Sequence, residues 1–261
     1  MNTQAKGTLA IGCLGWQRSR AQTAGRSIAE QRANALSAYA SQFDFVEVDR
    51  SFHTLPNAET LASWRKAVPA TFKFYLHVPK TITHERRLRE VGTAIARVSA
   101  RVRQLELQLG GLVFRMPGQG IANLDGLRDL LDRRAPQDDW IFDLNGTRWD
   151  TTQVEEVIRA YGCHVRGFGE LKQRGRATNV GSDSISSIKL VLSQAHLTQP
   201  PSASVNWARR IYAALTAGHD VTITYQRASN AERFDPARRL IQAIEELGKT
   251  READRTTSAL A

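Results

Sequence analysis

Eight short hydrophobic runs, separated by stretches of helical periodicity, constrain the fold of this chain more than any other feature. The runs are rich in Val, Ile, Phe and Tyr, which is typical of buried β-strands. They span 8–13, 43–49, 72–78, 111–116, 139–145, 163–167, 187–192 and 220–226. The helical stretches span 28–41, 57–67, 90–109, 123–134, 151–160, 203–217 and 235–247. Strands and helices that alternate in this way over about 250 residues predict a (β/α)8 TIM-type barrel.

The alternative to a barrel is an open, doubly wound sheet. Such a sheet usually carries a glycine-rich phosphate loop after its first strand, and the segment 12–15 is too short to match one. We therefore predict one barrel domain over 7–248, with an N-terminal extension over 1–6 and a polar, disordered tail over 249–261. The connection after the sixth strand, 168–186, has no helical pattern and predicts a long irregular loop on the catalytic face.

The composition allows two interpretations of the charge. The net charge is +10, and 29 of the 36 basic residues are arginine. The basic residues either form a solvated outer surface or bind nucleic acid. The two cysteines lie far apart in a pattern that matches no disulfide or metal motif, and no apolar run is long enough for a membrane span. We expect a cytoplasmic protein without a signal peptide or a membrane partner, whose oligomeric state stays open.

Ionisable groups near the ends of the predicted strands are the first indication of a site. Because side chains alternate along a barrel strand and the helix-facing side is apolar, the polar residues are expected to face the interior. There, the acids Glu47, Asp49 and Asp143 would meet the cations Lys73, Arg115 and Lys189. The opposite charges nearly cancel, as a buried network requires. A salt-bridged interior without a ligand is the alternative to a functional site.

Several motifs resemble those of the YecE-like family, known as domain of unknown function 72. They are Ile11-Gly12-Cys13-Leu14-Gly15-Trp16, the run 45–56, Phe72-Lys73-Phe74 and Ile82-Thr83-His84. The resemblance covers about 7–248 and implies a (β/α)8 fold without implying a reaction. The chain is a divergent member, because the usual Glu-x-Asn-x-Thr-Phe-Tyr is altered around Glu47 and the usual Glu-Phe-Arg-His-x-Ser-Trp becomes the segment 143–149. Either this chain handles a different ligand or it has lost an ancestral activity.

The candidate site residues follow from strand position and residue chemistry. The catalytic candidates are Glu47, His77 and Asp143, with Glu47 as a general base, a metal ligand or the partner of Arg115 or Lys189 in an ion pair. The substrate-binding candidates are Trp16, Asp49, His53, Tyr75, His84, Arg115, Trp149, Lys172, Arg174, Arg176, Lys189 and Gln226. A divalent metal held by the carboxylates and imidazoles is conceivable, but no spacing favours it.

These residues predict a polar, anion-accepting pocket at the carboxyl ends of the strands. The leading hypothesis is a hydrolase or lyase that acts on a small phosphorylated or sugar-like substrate. The flexible basic cluster of Lys172, Arg174 and Arg176 is expected to help hold an anion. The alternative is a non-catalytic barrel that binds a ligand or nucleic acid and has lost its ancestral activity.

Overall fold

The fold was determined as a computed structural model. It describes residues 7–16, 28–119, 122–144, 147–149, 151–168, 187–193, 197, 202–226 and 235–258. The predicted extension over 1–6 and the loop over 169–186 lie outside the described residues.

Eight parallel strands alternate with helices along the chain. The strands are β1 (Leu9–Leu14), β2 (Phe45–Val48), β3 (Lys73–His77), β4 (Leu109–Arg115), β5 (Trp140–Asp143), β6 (His164–Phe168), β7 (Ser187–Ser193) and β8 (Asp220–Gln226). The α-helices in the described residues are α1 (Ile28–Ala40), α2 (Ala58–Ala67), α3 (Gly92–Val102), α4 (Leu124–Leu131), α5 (Thr152–Ala160), α6 (Ala203–Thr216) and α7 (Asp235–Ser258). The strands pair in the closed order β1 to β8, so the predicted (β/α)8 TIM-type fold is confirmed.

The chain divides into two compact units. The central unit comprises residues 12–166, and the terminal unit comprises residues 1–11 together with 167–261. The two parts of the terminal unit are joined by hydrogen bonds, because the backbone nitrogen of Val221 donates to the carbonyl of Thr8. The Thr8 hydroxyl also lies 2.6 Å from a carboxylate oxygen of Asp220. In this unit β7 and β8 pair in register from Ser187 opposite Asp220 to Ser193 opposite Gln226.

Aromatic and β-branched side chains form the core of the central unit. Phe114 is fully buried and stacks on Phe142 with a ring separation of 4.7 Å. It also packs against Trp140, whose ring lies at the same distance. Residues of this kind suit buried strands because their rigid side chains fill the space between sheet and helices. The helices α2, α4 and α5 begin at side-chain caps; at the start of α2 the Asn57 side chain accepts a hydrogen bond from the backbone nitrogen of Thr60.

Several element boundaries differ from the predicted ones. β2 ends at Val48, and Asp49–Phe52 form a 3₁₀ turn, so Asp49 is exposed instead of facing the interior. The long helix predicted over 90–109 ends at Val102, and a 3₁₀ segment follows in which Glu106 has a φ of 49°. The helix predicted over 151–160 begins one residue later, at Thr152, because Thr151 is its cap and accepts a hydrogen bond from the backbone nitrogen of Val154.

The last helix extends beyond its predicted end. It continues to Ser258, so residues 249–258 are helical instead of forming the predicted disordered tail. None of the described helices combines the length and apolar character that a membrane span requires.

Leu61 provides a test of the central core. It is fully buried on α2, whereas Leu107 is 82% exposed, so the two leucines form a matched pair. Leu61→Ala should lower the free energy of unfolding by about 2–5 kcal/mol, because it removes buried methyl groups and leaves a cavity. Leu107→Ala should change it by less than about 0.5 kcal/mol. Urea unfolding followed by circular dichroism measures both values, and equal effects would contradict the assigned core.

Candidate functional site

A buried ion pair between Glu47 and Arg166 is the centre of the candidate site. Glu47 is the third residue of β2 and Arg166 the third residue of β6, and both belong to the central unit. The guanidinium donates two hydrogen bonds, one to each carboxylate oxygen of Glu47, at 2.9 and 2.5 Å. The side chains are 1% and 6% exposed. Such a bidentate arrangement compensates much of the cost of burying two charges.

His77 at the end of β3 makes the second contact to the same carboxylate. Its Nε2 lies 2.6 Å from Oε1 of Glu47, and the side chain is 6% exposed. The other ring nitrogen, Nδ1, is buried and has no hydrogen-bond partner among the residues that the structure describes. The backbone of His77 is held as well, because the buried hydroxyl of Ser51 lies 2.8 Å from its carbonyl oxygen. A carboxylate that accepts from one ring nitrogen fixes the tautomer and leaves the other nitrogen as an acceptor.

Asp143 at the end of β5 extends the network. One of its carboxylate oxygens lies 3.7 Å from the guanidinium of Arg166. The strand register places Asp143 beside Arg166 on β6 and beside Arg115 on β4. Two of the three catalytic candidates, Glu47 and Asp143, therefore contact the same guanidinium, and the third, His77, contacts Glu47.

The charges of the pair set the protonation of Glu47. Burial by itself raises the pKa of this carboxyl group, but the nearby guanidinium of Arg166 and the hydrogen bond from His77 outweigh burial. The pKa of Glu47 is therefore held well below its ordinary range. Burial likewise lowers the pKa of Arg166, and the Glu47 carboxylate more than reverses this, so that the pKa of the guanidinium is raised. Both groups are charged at neutral pH.

A second cluster surrounds the ring of Phe52, and we call it the Phe52 cluster. Phe52 ends the 3₁₀ turn after β2, and its ring meets the rings of His77, His84 and His53 edge to face, at 6.4, 5.0 and 5.3 Å. The guanidinium carbon of Arg115 lies 5.7 Å from the ring centre. Arg115 and His53 are exposed, and His84 is half-buried. The cluster thus connects the buried dyad of Glu47 and His77 to surface groups.

Three aromatic candidates are packed against neighbouring side chains or buried. Trp16 meets Trp64 of α2 edge to face at 5.2 Å. Tyr75 packs against Phe45 at 5.1 Å, and burial followed by the charges of Asp139 and Glu47 raises its pKa. Trp149 is 1% exposed, and its indole nitrogen has no partner among the described residues. Trp149, a substrate-binding candidate, is therefore closed off from solvent.

The remaining candidates lie in other parts of the chain. Lys189 and Gln226 lie in the terminal unit on β7 and β8, where the charge of Lys189 helps to lower the pKa of Asp220. Hydrogen bonds from Thr8 are the larger cause of that shift. Lys172, Arg174 and Arg176 lie outside the described residues. Lys73, expected among the interior cations, donates to the carbonyl of Leu107 at the opposite ends of the strands.

Metal ligation by the predicted carboxylates and imidazoles has no support in the described part of the chain. No group of three or more His, Cys, Asp and Glu side chains lies close enough there to hold a metal ion. The donor set is also unsuited to a cation, because Glu47 is already bonded to a guanidinium.

Sequence reasoning missed Arg166 as the partner of Glu47. The pattern offers Arg115 or Lys189 as one possible partner of Glu47, but Arg115 is exposed and packs on Phe52. The sequence contained a signal for Arg166. In His164-Val165-Arg166 the apolar residue lies between two polar ones, and the same alternation placed Glu47 and His77 in the interior. Ser51 and Thr83 were also missed; each is a buried hydroxyl beside a histidine, and no sequence pattern marks such contacts.

Fold and site together define a (β/α)8 protein with a charged, hydrogen-bonded group of side chains at the carboxyl ends of its strands. The family model described as "Protein of unknown function DUF72" matches residues 10–259. The chain therefore belongs to the DUF72 family, as its motifs indicated.

Known relatives agree with this assignment. The chain is 25% identical over 138 residues to the UPF0759 protein YecE of Escherichia coli K12, a match over 52% of this chain. It spans about half the length of the curated relatives that it matches. A DUF72 family protein from Enterococcus faecalis V583 superposes with a TM-score of 0.64 at 14% identity, over 94% of this chain and 99% of that one. One from Thermotoga maritima gives 0.62 at 13% identity, over 92% and 99%. These likenesses establish the fold.

A double-mutant cycle tests the buried pair. Glu47→Gln should lower the free energy of unfolding by about 3–5 kcal/mol, because it leaves the guanidinium of Arg166 buried without its counter-charge. The double variant Glu47→Gln with Arg166→Met should cost less than the sum of the two single variants, since it removes both charges. Urea unfolding of all four proteins gives the coupling energy, and a value near zero would contradict the pair.

The pH dependence of stability tests the charge on Glu47. Because folding lowers the pKa of this group below its ordinary value of 4.5, ionisation of Glu47 stabilises the fold above that pH. The stabilisation is lost as the pH falls below 4.5, where the unfolded chain takes up the proton. The stability difference between wild type and Glu47→Gln should therefore be constant above about pH 5 and shrink below it. A difference that grows on acidification would contradict this assignment.

Proposed function

We propose that this protein is a proton-transfer enzyme, a hydrolase or lyase, in which His77 exchanges a proton with a small phosphorylated or sugar-like substrate. The observation that carries the proposal is the asymmetry of the His77 ring. Its Nε2 bonds to the buried Glu47 carboxylate, whereas its Nδ1 is buried without a described partner. Leaving a buried acceptor unpaired costs about 1–3 kcal/mol, so proteins rarely keep one without a use.

Glu47 is proposed to position His77 and not to act as the base itself. Its carboxylate accepts hydrogen bonds from Arg166 and from His77, and its pKa is too low for it to take up a proton at neutral pH. A carboxylate in this position holds the Nε2–H tautomer of the imidazole and stabilises the imidazolium. Nδ1 then takes a proton from the substrate in one step and returns it to the leaving group or product in the next.

Arg166 is proposed to keep the dyad in place. Its two hydrogen bonds fix the plane of the Glu47 carboxylate, and a carboxylate oxygen of Asp143 lies 3.7 Å from the same guanidinium. The buried group therefore holds its geometry without substrate, as a preorganised site requires.

A non-catalytic binding protein is the second candidate. It is favoured by the ion pair in which Arg166 balances the charge of Glu47, because a purely structural ion pair would look the same. The net charge of +10 makes nucleic acid one ligand for such a protein.

Turnover by matched histidine variants tests the two candidates. A panel of sugar phosphates and aryl glycosides, followed by ¹H and ³¹P NMR, detects both hydrolysis and elimination. The wild type should turn over at least one member, and His77→Asn should lower kcat by about 10²–10⁴-fold. His164→Asn is the control, because His164 is the first residue of β6 and its Nε2 lies 3.4 Å from a carboxylate oxygen of Asp139, not of Glu47. Equal rates for wild type and His77→Asn would refute the role of His77, and no turnover at all would favour the binding protein.

A further inference from the structure

The Phe52 cluster contains a cation, Arg115, for which the described residues supply no counter-charge. Arg115 is exposed, and none of the described acids forms an ion pair with it. The acids in its neighbourhood have other partners. Glu47 and Asp143 contact Arg166, and Glu85 lies 3.2 Å from the ammonium of Lys80.

The guanidinium of Arg115 has a fixed place despite its exposure. Its central carbon lies 5.7 Å from the centre of the Phe52 ring, a distance at which a cation is attracted to an aromatic ring. Phe52 itself makes T-shaped contacts with three imidazoles. A guanidinium held in this way loses little side-chain freedom when an anion binds, which favours recognition.

His84 is the second polar group on the same ring. The hydroxyl of the fully buried Thr83 lies 2.8 Å from its Nδ1, so the orientation of the imidazole is fixed and Nε2 is left for another partner. Burial, and then the positive charge of Arg115, lower the pKa of His84. The ring is neutral at neutral pH and does not repel the guanidinium.

Backbone strain follows directly after His84. Arg87, Leu88 and Glu90 have φ values of 48°, 62° and 50°, a conformation that non-glycine residues rarely adopt. The segment is held by the buried side chain of Leu88, whose backbone nitrogen donates to the carbonyl of Ile82. Strain of this kind concentrates at functional sites, where the surrounding structure maintains it.

We propose that Arg115 and His84 form a subsite for a single oxyanion, the phosphate or carboxylate group of a small substrate. His84 and His77 both lie within 6.4 Å of the Phe52 ring centre, so the anion and the proton-transfer position are close together. The substrate is therefore compact, with its charged group a few bonds from the reacting atom. The assignment of His77 as the reacting group rests on the proposed function, whereas binding of the anion can be measured without any turnover.

Titration with simple anions tests the subsite. Inorganic phosphate and acetate, added separately at low ionic strength and followed by isothermal titration calorimetry, distinguish a phosphate from a carboxylate preference. Arg115→Gln should raise the dissociation constant of the preferred anion by about tenfold to a hundredfold, the loss expected for a charge-assisted hydrogen bond. His84→Gln should raise it by a smaller factor, since it removes a neutral donor.

Arg97→Gln is the matched control. Arg97 is an exposed arginine on α3 of the same unit, so the variant makes the same change in net charge away from the cluster. It should leave the dissociation constant within about twofold of wild type, because Arg97 is not part of the Phe52 cluster and a solvent-exposed charge contributes little without direct contact. An equal loss in Arg97→Gln, wild-type affinity in Arg115→Gln, or no saturable binding of either anion would overturn the subsite. Binding through Arg115 without turnover would retain the subsite and reject the enzyme.

Discussion

The site depends on the burial of two opposite charges against each other. Glu47 and Arg166 are both almost inaccessible to water, and each would be costly alone. Their two parallel hydrogen bonds make the pair tolerable and determine the chemistry of the neighbouring residues. The carboxylate stays ionised, so it accepts from His77 instead of competing with it for protons. His77, and not Glu47, is therefore the candidate for proton transfer.

The Phe52 cluster links this buried pair to the surface of the central unit. The ring of Phe52 lies 6.4 Å from that of His77 in the dyad, 5.0 Å from that of His84 and 5.7 Å from the guanidinium carbon of Arg115. The short turn Asp49–Phe52 follows β2 directly. The charged Glu47 and the ring of Phe52 are therefore only five positions apart in the sequence. A local sequence thus contributes to both parts of the site, while β3 to β6 supply the polar partners.

Sequence reasoning succeeded where a residue's position on a strand decided its surroundings. Alternation along β2 and along β3 predicted that Glu47 and His77 both face the interior, since every second side chain of a strand points to the same side. Both side chains are buried, and they are in contact with each other. It failed for Asp49, because a strand's last residue cannot be read from hydrophobicity and β2 stops one residue earlier. It also failed for the partner of Glu47, because several cations were equally compatible with the pattern.

The sequence by itself determined that strands alternate with helices, and with it the TIM-type fold. The periodicity and type of the residues reflect local backbone preference and burial, which act over short stretches of chain. It also identified the family through short motifs. Only the tertiary structure decided which charges meet. Glu47 and Arg166 are 119 positions apart, and their contact depends on strand register and side-chain direction, neither of which is encoded by neighbours along the chain.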